Sequence, residues 1–256
     1  MSGRIELIAL DGIPEVRPDD DLAAFVANSL RSADIGLKQD DVLVVTQKVV
    51  SKAEGRIVDL ASVMPSQRAR EWGARWGKDA RQVELVLRES AEVVRMAEGG
   101  LIIGRTRHGF VCANSGVDLS NVGDGEVATL LPVDPDASAR GLRERLAELT
   151  GVRPMIVISD SFGRPWRNGI VNVAIGSAGL QPLVDLRGTP DAQGRIMRST
   201  IIAVADELAS AADLAGGKTA QRPVVLIRGA GPESLSADED QGASVLVMER
   251  DRDFFP

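Results

Sequence analysis

Five charged side chains in two stretches of the sequence suit chemistry on phosphate groups. Lys48 and Lys52 follow an apolar run in VVTQKVVSKAEG, and Asp160, Arg164 and Arg167 follow another in VISDSFGRPWRNG. Ammonium and guanidinium groups bind phosphate, and a carboxylate binds the hard metal ion that accompanies phosphoryl transfer. The spacing of the two lysines puts them on one side of either a strand or a helix. The alternative is a pair of solvated surface lysines.

A second carboxylate lies in the polar segment ANSGVDLSNVGDG. Its oxygen-bearing side chains are of the kind that magnesium or manganese binds, namely Asn114, Asp118, Ser120 and Asn121. The alternative is an ordinary turn, in which these side chains bond to nearby backbone groups. The segment alone favours the turn. Together with Asp160 and the basic residues, Asp118 predicts metal-assisted phosphoryl transfer.

The segment VISDSFGRPWRNG, residues 157–169, allows two interpretations. In the first, a strand ends at Ile158, Asp160 caps its own backbone in a loop, and the arginines are solvated. In the second, Asp160 and Ser161 hold a metal ion at the carboxyl end of a strand, where ligands collect in open α/β sheets. Trp166 is expected to pack against the loop rather than to stack on a base.

Three familiar catalytic arrangements are disfavoured. Gly216-Gly217-Lys218-Thr219 resembles the end of a P-loop, but Ala212 stands where the first glycine is needed and a helix precedes it. Asp160-Ser161-Phe162 lacks the second aspartate of an aspartyl-phosphate phosphatase. His108 is the single histidine, which disfavours histidine-based zinc sites and Ser-His-Asp or Cys-His catalysis. We expect His108 at the surface, in a hairpin turn.

Periodic apolar residues indicate the elements that must position these side chains, and they predict a mixed α and β protein. The predicted strands are residues 4–10, 41–50, 101–105, 109–113, 155–158, 224–228 and 244–248. The predicted helices are residues 20–32, 66–96 with interruptions at Gly73 and Gly77, a helix that begins at Asp134-Pro135, and residues 199–215.

The composition restricts the classes of partner that we expect for this protein. The chain has 256 residues, a net charge of −7, no tyrosine and 3% aromatic residues, so it lacks the basic field and stacking platforms of a nucleic-acid-binding protein. No apolar run approaches the roughly 18 residues of a membrane span. One cysteine, Cys112, and a start without a signal-peptide apolar region predict a cytoplasmic protein.

Six blocks in this order resemble the coenzyme F420-0:L-glutamate ligase family, the γ-glutamyl ligases of deazaflavin coenzyme biosynthesis. They are GIP at 12–14, VVSKAEG at 49–55, GVDLSNV at 116–122, LPVDPD at 131–136, DSFGR at 160–164 and AVADE at 203–207. The resemblance extends to about Gly229. It implies a family-specific mixed α/β (α+β) fold, with mixed sheets and flanking helices in two intimately associated subdomains. We expect residues 1–256 to form one such unit, with 230–256 as a loosely matched tail and no second, flavin-binding domain.

The resemblance also implies roles for individual residues. Asp118, Asp160 and Ser161 match positions that hold a divalent metal. The nucleotide is lined by the residues that match Ile13, Pro14, Glu15, Val16, Gln47, Lys48, Lys52 and Asn121, and the segment with Gly216, Gly217 and Lys218 closes over it. Gln47 replaces the small hydroxyl residue usual in the family, and Ser161 replaces threonine.

The resulting hypothesis is a GTP-dependent ligase that joins L-glutamate to the carboxylate of F420-0 through an acyl phosphate. Lys52, Asp118 and Asp160 are its candidate catalytic residues, and Arg164 and Arg167 are candidates for binding an anionic substrate. The expected cofactors are GTP as co-substrate, Mg²⁺ or Mn²⁺, and K⁺ as a further cation, and the expected assembly is a homodimer. Two alternatives remain open: an amide ligase with a different carboxylate acceptor, and a non-catalytic GTP-binding sensor.

Overall fold

A five-stranded mixed sheet is the centre of the fold, in a computed structural model that describes residues 3–119, 127–230 and 241–252. The strands lie in the order β1, β12, β2, β8, β9, where β1 is Glu6–Ala9, β2 Val42–Thr46, β8 Met155–Arg164, β9 Arg167–Ala178 and β12 Val224–Arg228. β2 pairs parallel with β8, and the other neighbours are antiparallel. Residues 42–45 of β2 are all buried, which explains why this strand is apolar on both faces.

Helices cover both faces of this sheet. α1 (Leu22–Ser32), α2 (Gln47–Ala53) and α5 (Pro135–Thr150) pack on the face that carries Leu43 and Ile158. α6 (Val204–Gly216) packs on the opposite face, against Val44 and Val157. Because successive side chains of a strand point to opposite faces, the two cores contain alternate residues of β2 and β8.

A smaller α+β unit has its own core around Leu60, Val86 and Ile102. It contains α3 (Gln67–Trp76), α4 (Ala80–Glu89), the three-stranded sheet of β4 (Ser90–Met96), β5 (Ile102–Thr106) and β6 (Val111–Ala113), and the pair of β3 (Ile57–Asp59) and β7 (Val127–Thr129). Two short strands, β10 (Val184–Asp185) and β11 (Ile201–Ile202), pair separately. The mixed α+β class that the sequence predicts is therefore confirmed.

The predicted helix starts are confirmed where capping chemistry supports them. Asp134 caps α5 by accepting from Ala137 N at 2.9 Å, and Pro135 takes the first helical position. Asp21 caps α1 by accepting from Ala24 N at 3.0 Å. These aspartates satisfy backbone donors that a helix start leaves unpaired.

Several predicted elements are wrong in extent or type. The strand 41–50 ends at Thr46, because α2 begins at Gln47 and directs Val50 into the core. The helix 66–96 ends at Glu89, and its last seven residues form β4, paired with β5. The helix 199–215 begins at Val204, and residues 244–248 contain a 3-10 turn in place of the predicted strand. In each case a tertiary contact overrides a local apolar pattern.

The loop predicted after Ile158 is a β-hairpin. β8 continues to Arg164 and pairs with β9, so Asp160 lies opposite Val173 and Ser161 opposite Asn172. β2 pairs only as far as Ser159, and the hairpin beyond it is a two-stranded ribbon. Polar side chains hide this strand from a pattern that relies on apolar residues. In the described part of the chain, no helix has the length and apolar composition to cross a membrane.

Candidate active site

The candidate site lies where β2 ends beside the parallel strand β8, which continues into the hairpin with β9. Thr46 pairs with Ser159, and the chain continues into α2 on one side and into Asp160 and Ser161 on the other. This is the edge of a sheet at which ligands bind in open α/β proteins. The topology therefore places Lys48 and Lys52 on an element next to Asp160, although they are far apart in sequence.

Lys48 reaches across to Asp118. Its Nζ lies 2.8 Å from Asp118 Oδ2, and both side chains are partly buried. Asp118 follows the 3-10 turn Asn114–Gly116, and its backbone pairs with that of Thr129 through hydrogen bonds of 3.0 and 2.9 Å. This bridge holds Asp118 on the small unit, facing α2 of the central unit.

Lys52 is buried rather than solvated. Its side chain is 9% exposed and its Nζ lies 2.5 Å from Oε1 of Glu15, whose side chain is 75% exposed. Glu15 belongs to the segment of Ile13, Pro14, Glu15 and Val16 after β1, in which Val16 is buried in the core. The surface alternative for this lysine is wrong. A buried ammonium group beside an exposed carboxylate can exchange that partner for a phosphate.

Gln47 begins α2 and is also buried. Its Oε1 accepts a hydrogen bond of 2.8 Å from Ser51 Oγ, one helical turn later. This bond occupies the side-chain oxygen of Gln47 within the helix. The glutamine thus stabilises the element that carries Lys48 and Lys52.

Asp160 lies among charged groups from three other segments. The pKa of its carboxyl is raised to about 6, chiefly by burial and also by the nearby Asp118 carboxylate, while Lys218 and Lys48 oppose the rise. Asp160 Oδ1 also accepts from Ser161 N at 2.8 Å, which favours the ionised form. The structure thus brings both predicted carboxylates and two of the predicted lysines within electrostatic range of one another.

Ser161 points to the other side of the strand, toward α6. Its Oγ donates to Asn172 Oδ1 at 2.7 Å and accepts from Lys218 Nζ at 2.7 Å. Lys218 follows Gly216 and Gly217, which end α6, so the structure agrees that this glycine segment follows a helix and is not a P-loop. Sequence reasoning missed Asn172, because only the hairpin register shows that it faces Ser161.

The donor set fits a hard divalent cation. The carboxylates of Asp118 and Asp160 are oxygen ligands, and Mg²⁺ completes its shell with water and substrate phosphate. The Ser161 hydroxyl is directed to the other side of β8, toward Asn172 and Lys218. The Lys48 ammonium group already contacts the Asp118 carboxylate, which shows that this position attracts positive charge. Within the described ranges, no group of three or more His, Cys, Asp or Glu side chains could hold a metal ion. Ser120 and Asn121 lie outside those ranges.

The two arginines lie farther along the ribbon, near its tip. Arg164 Nη2 donates to Asn168 O at 2.7 Å, while its Nε is buried and has no hydrogen-bond partner in the described part of the chain. Arg167 is exposed. Trp166, between them, is 79% exposed, so the prediction that it packs against the loop is wrong.

His108 and Cys112 have structural surroundings. His108 lies in the β5–β6 hairpin turn as predicted, but it is partly buried, and its Nε2 lies 2.9 Å from Pro132 O and 3.0 Å from Val133 O. The expected hairpin position is confirmed, and the ring is half-buried. Burial raises the pKa of the Cys112 thiol to about 12, with a further contribution from Asp160, so this thiol stays protonated near neutral pH.

A groove of about 530 Å³ opens between α1, α2 and α5, lined by Val50 and Ala53 of α2 rather than by its lysines. Its rim carries several carboxylates, which are Asp20, Asp21, Glu54 and Asp134. Such a rim repels a triphosphate. The charged cluster around Asp118 and Asp160 has the lysines that a triphosphate requires and is therefore the better candidate for binding one.

The chain is similar to known proteins over nearly all of its length. Residues 12–229 match the family model described as F420-0:Gamma-glutamyl ligase. The "Coenzyme F420:L-glutamate ligase" of Methanothermobacter thermautotrophicus is 44% identical over 252 residues, 98% of each chain. The protein of the same name from Methanopyrus kandleri is 44% identical over 98% of this chain and 97% of its own, and that from Archaeoglobus fulgidus is 42% identical over 88% of each. The chain therefore belongs to the F420-0:gamma-glutamyl ligase family.

Proposed function

We propose that this protein joins L-glutamate to the carboxylate of coenzyme F420-0, with GTP as phosphoryl donor and Mg²⁺ or Mn²⁺ as the metal. Family membership supports the ligase reaction and its place in F420 biosynthesis. The observation that supports the nucleotide and the metal is the meeting of Asp118, Asp160, Lys48 and Lys218 where β2 ends beside β8.

The lysines offset the charge of the triphosphate in this proposal. Lys52 exchanges the Glu15 carboxylate for a phosphate oxygen, and Lys48 and Lys218 contribute from the two sides of Asp160. A divalent cation held by Asp118 and Asp160 would neutralise further phosphate charge, and the Ser161 hydroxyl, on the opposite side of β8, would offer its oxygen to a cation there. In this proposal the segment from Ile13 to Val16 lines the nucleotide on the side next to α2.

The reaction proceeds in two displacements. A carboxylate oxygen of F420-0 attacks the γ-phosphorus of GTP, GDP leaves, and an acyl phosphate forms. The amine nitrogen of L-glutamate, after loss of its extra proton, attacks the acyl carbon, and inorganic phosphate leaves as the amide forms. No covalent bond to the protein is required. This agrees with a protonated Cys112 and with a His108 bonded to backbone carbonyls.

The test is mass spectrometry of F420-0 incubated with protein, GTP, manganese and L-glutamate, together with a measurement of phosphate release. We expect a product heavier by one glutamate residue or more, and one phosphate per amide. Protein with GTP and metal alone should release almost no phosphate, because a site closed against water protects the acyl phosphate.

Each alternative predicts a different result. Rapid phosphate release without F420-0 would indicate a GTPase. Turnover with other carboxylates but none with F420-0 would indicate a divergent amide ligase. GTP binding without turnover under any acceptor would indicate a sensor. We also propose a homodimer, which analytical ultracentrifugation tests.

A further inference from the structure

Three hydrogen-bonded side chains link β9 to the segment that follows α6. Asn172 of β9 lies directly opposite Ser161 of β8, and Ser161 Oγ donates to Asn172 Oδ1 at 2.7 Å. Lys218 Nζ donates to the same Ser161 Oγ, also at 2.7 Å. The carboxamide of Asn172 is thus connected to the ammonium group of Lys218 through a single hydroxyl.

The donors and acceptors of these side chains fix the direction of both bonds. A lysine ammonium group only donates, so the Ser161 oxygen accepts from Lys218. A serine hydroxyl has one proton, and here that proton is directed to the side-chain oxygen of Asn172. Asn172 therefore keeps the lone pairs of Ser161 directed at Lys218. Without this acceptor the hydroxyl could rotate and turn its proton toward the ammonium group.

Asn172 is an unusual residue for its position in the strand. It is 7% exposed, lies between Val171 and Val173, and its backbone oxygen accepts from Ser210 Oγ of α6 at 2.7 Å. Asparagine is depleted in strands, and a buried amide costs free energy unless its polar atoms are bonded. An apolar residue would suit the packing of this strand better. Such a departure from the local pattern indicates a role outside packing.

The Lys218 end of this series lies beside the charged cluster. Lys218 is an exposed residue, and an exposed lysine adopts many rotamers, so fixing it costs conformational entropy. Here its ammonium group is held close enough to Asp160 to oppose the rise in the pKa of that carboxyl. A cation that is in place before an anionic ligand arrives binds the ligand more tightly, because less freedom is lost on binding.

We propose that Asn172 is a positioning residue for GTP, which holds the Lys218 ammonium group beside Asp160 through the Ser161 hydroxyl, ready for a phosphate oxygen. This inference rests on the proposed function, because the ligand that gains from a fixed lysine is the triphosphate of GTP. Asn172 acts through Lys218 and makes no contact with the nucleotide itself.

Calorimetric titration of GTP into the parent, Asn172→Ala, Lys218→Met and the double variant, with Mg²⁺ present and F420-0 absent, tests this role. Loss of the acceptor in Asn172→Ala should lower the affinity for GTP about fivefold. Lys218→Met should lower it about tenfold, and the double variant should bind GTP like Lys218→Met alone. If Asn172→Ala has the same effect whether or not Lys218 is present, it does not act through Lys218 and the proposal is wrong.

Ser210→Ala is the matched control. It removes the hydrogen bond from α6 to the Asn172 backbone but keeps the bond between Ser161 and the Asn172 side chain. Its affinity for GTP should stay within about twofold of that of the parent, whereas a general loosening of β9 on α6 would weaken binding in both variants. In steady-state kinetics, Asn172→Ala should raise the KM for GTP and leave the KM for F420-0 unchanged.

A second substitution guards against a failure to fold. Asn172→Leu also lacks the acceptor but fills the buried space, so it should show the same loss of affinity for GTP as Asn172→Ala. Melting temperatures of all variants check that the proteins compared are folded. A folded Asn172→Leu that binds GTP like the parent would overturn the role of Asn172.

The outcomes separate this role from the proposed function. A parent that forms the glutamate adduct of F420-0, with equal GTP affinities in the parent and Asn172→Ala, would refute the role of Asn172 and leave the ligase reaction standing. The expected differences in GTP affinity without any product would refute the ligase reaction and support the role of Asn172. A parent that binds no GTP would refute the proposed nucleotide and this role with it.

Discussion

Lys48 and Asp118 are joined by a contact of 2.8 Å between an ammonium nitrogen and a carboxylate oxygen, across the boundary between the central sheet unit and the smaller unit. The contact links α2 to the segment after the Asn114–Gly116 turn. A divalent cation on Asp118 must share this carboxylate with Lys48 or displace it. Metal binding at Asp118 is therefore linked to the position of Lys48, which we expect to turn to the phosphates.

Removal of either carboxylate should abolish metal-dependent stabilisation. In the parent, manganese at about 100 times its dissociation constant should stabilise the folded state by about 2.7 kcal/mol, whereas Asp118→Asn and Asp160→Asn should gain little. Ligase activity should fall by about 100-fold or more. Melting temperature and rate, both measured against manganese concentration, check this prediction.

Asp59→Asn is the matched control for these two variants. Asp59 accepts from Ala61 N at 2.8 Å and serves only as a cap. Asparagine replaces such an aspartate well, so the response to manganese should equal that of the parent. A full manganese response in Asp160→Asn would refute the metal site.

Lys52→Met should damage GTP binding more than folding. Methionine retains most of the buried volume, and the Glu15 carboxylate left behind is exposed and can be hydrated, so the loss of stability should be about 1 kcal/mol or less. The affinity for GTP, measured by calorimetry, should fall at least tenfold. Lys38→Met, at an exposed position outside the cluster, should bind GTP like the parent. Equal affinities in the two variants would show that Lys52 has only a structural role.

Arg164→Lys should impair the use of F420-0 although it keeps the charge. A lysine has no planar fork, so it cannot both donate to Asn168 O and direct a second donor to an anion. We expect a rise in the KM for F420-0 of about 5-fold to 20-fold with the KM for GTP unchanged. Unchanged kinetics would place Arg164 among residues that only shape the turn.

The pH dependence of stability should show the burial of Asp160. Its pKa in the folded protein is about 6, above the ordinary 3.8, so between these values the folded state keeps a proton that the unfolded state has lost. With EDTA present, the free energy of unfolding of the parent should therefore fall by about 1–3 kcal/mol from pH 4 to pH 7, relative to Asp160→Asn. Chemical denaturation of both proteins at each pH measures the difference. If the unfolding free energies of the two proteins changed with pH in parallel, the Asp160 carboxyl would be hydrated in the folded state and its pKa would not be raised.

The sequence predicts the parts of the fold in which local chemistry and tertiary structure agree. α5 begins where Asp134 and Pro135 indicate, and β12 has the predicted ends, because four of its five residues are buried. The strand 41–50 and the helix 66–96 fail because neither sequence separates a β-strand from an adjoining helix by glycine or proline. At Thr46 and Glu89 the change of element depends on contacts with distant strands.

In the candidate site too, the sequence predicts the features that depend on local residue types and misses those that depend on distant contacts. The residue types and blocks indicate Lys48, Lys52, Asp118 and Asp160, and the structure brings Lys48, Asp118 and Asp160 together. The burial of Lys52 and the hydrogen bond from Ser161 to Asn172 could not be predicted, because both depend on how the chain folds around them. The exposed position of Trp166 likewise follows from the hairpin, which no local pattern indicated.

The alternation of side chains along β8 limits how this gene can change in length. Asp160 and Ser161 serve opposite faces of one strand, so the deletion or insertion of one codon between Ile158 and Asp160 would exchange their directions. The carboxylate would then face α6 and the hydroxyl would face Asp118. Changes of two codons keep both directions but move the pair by about 7 Å along the strand, away from Lys48. Natural variation in length should therefore be absent from this stretch and collect in surface connections such as residues 186–200.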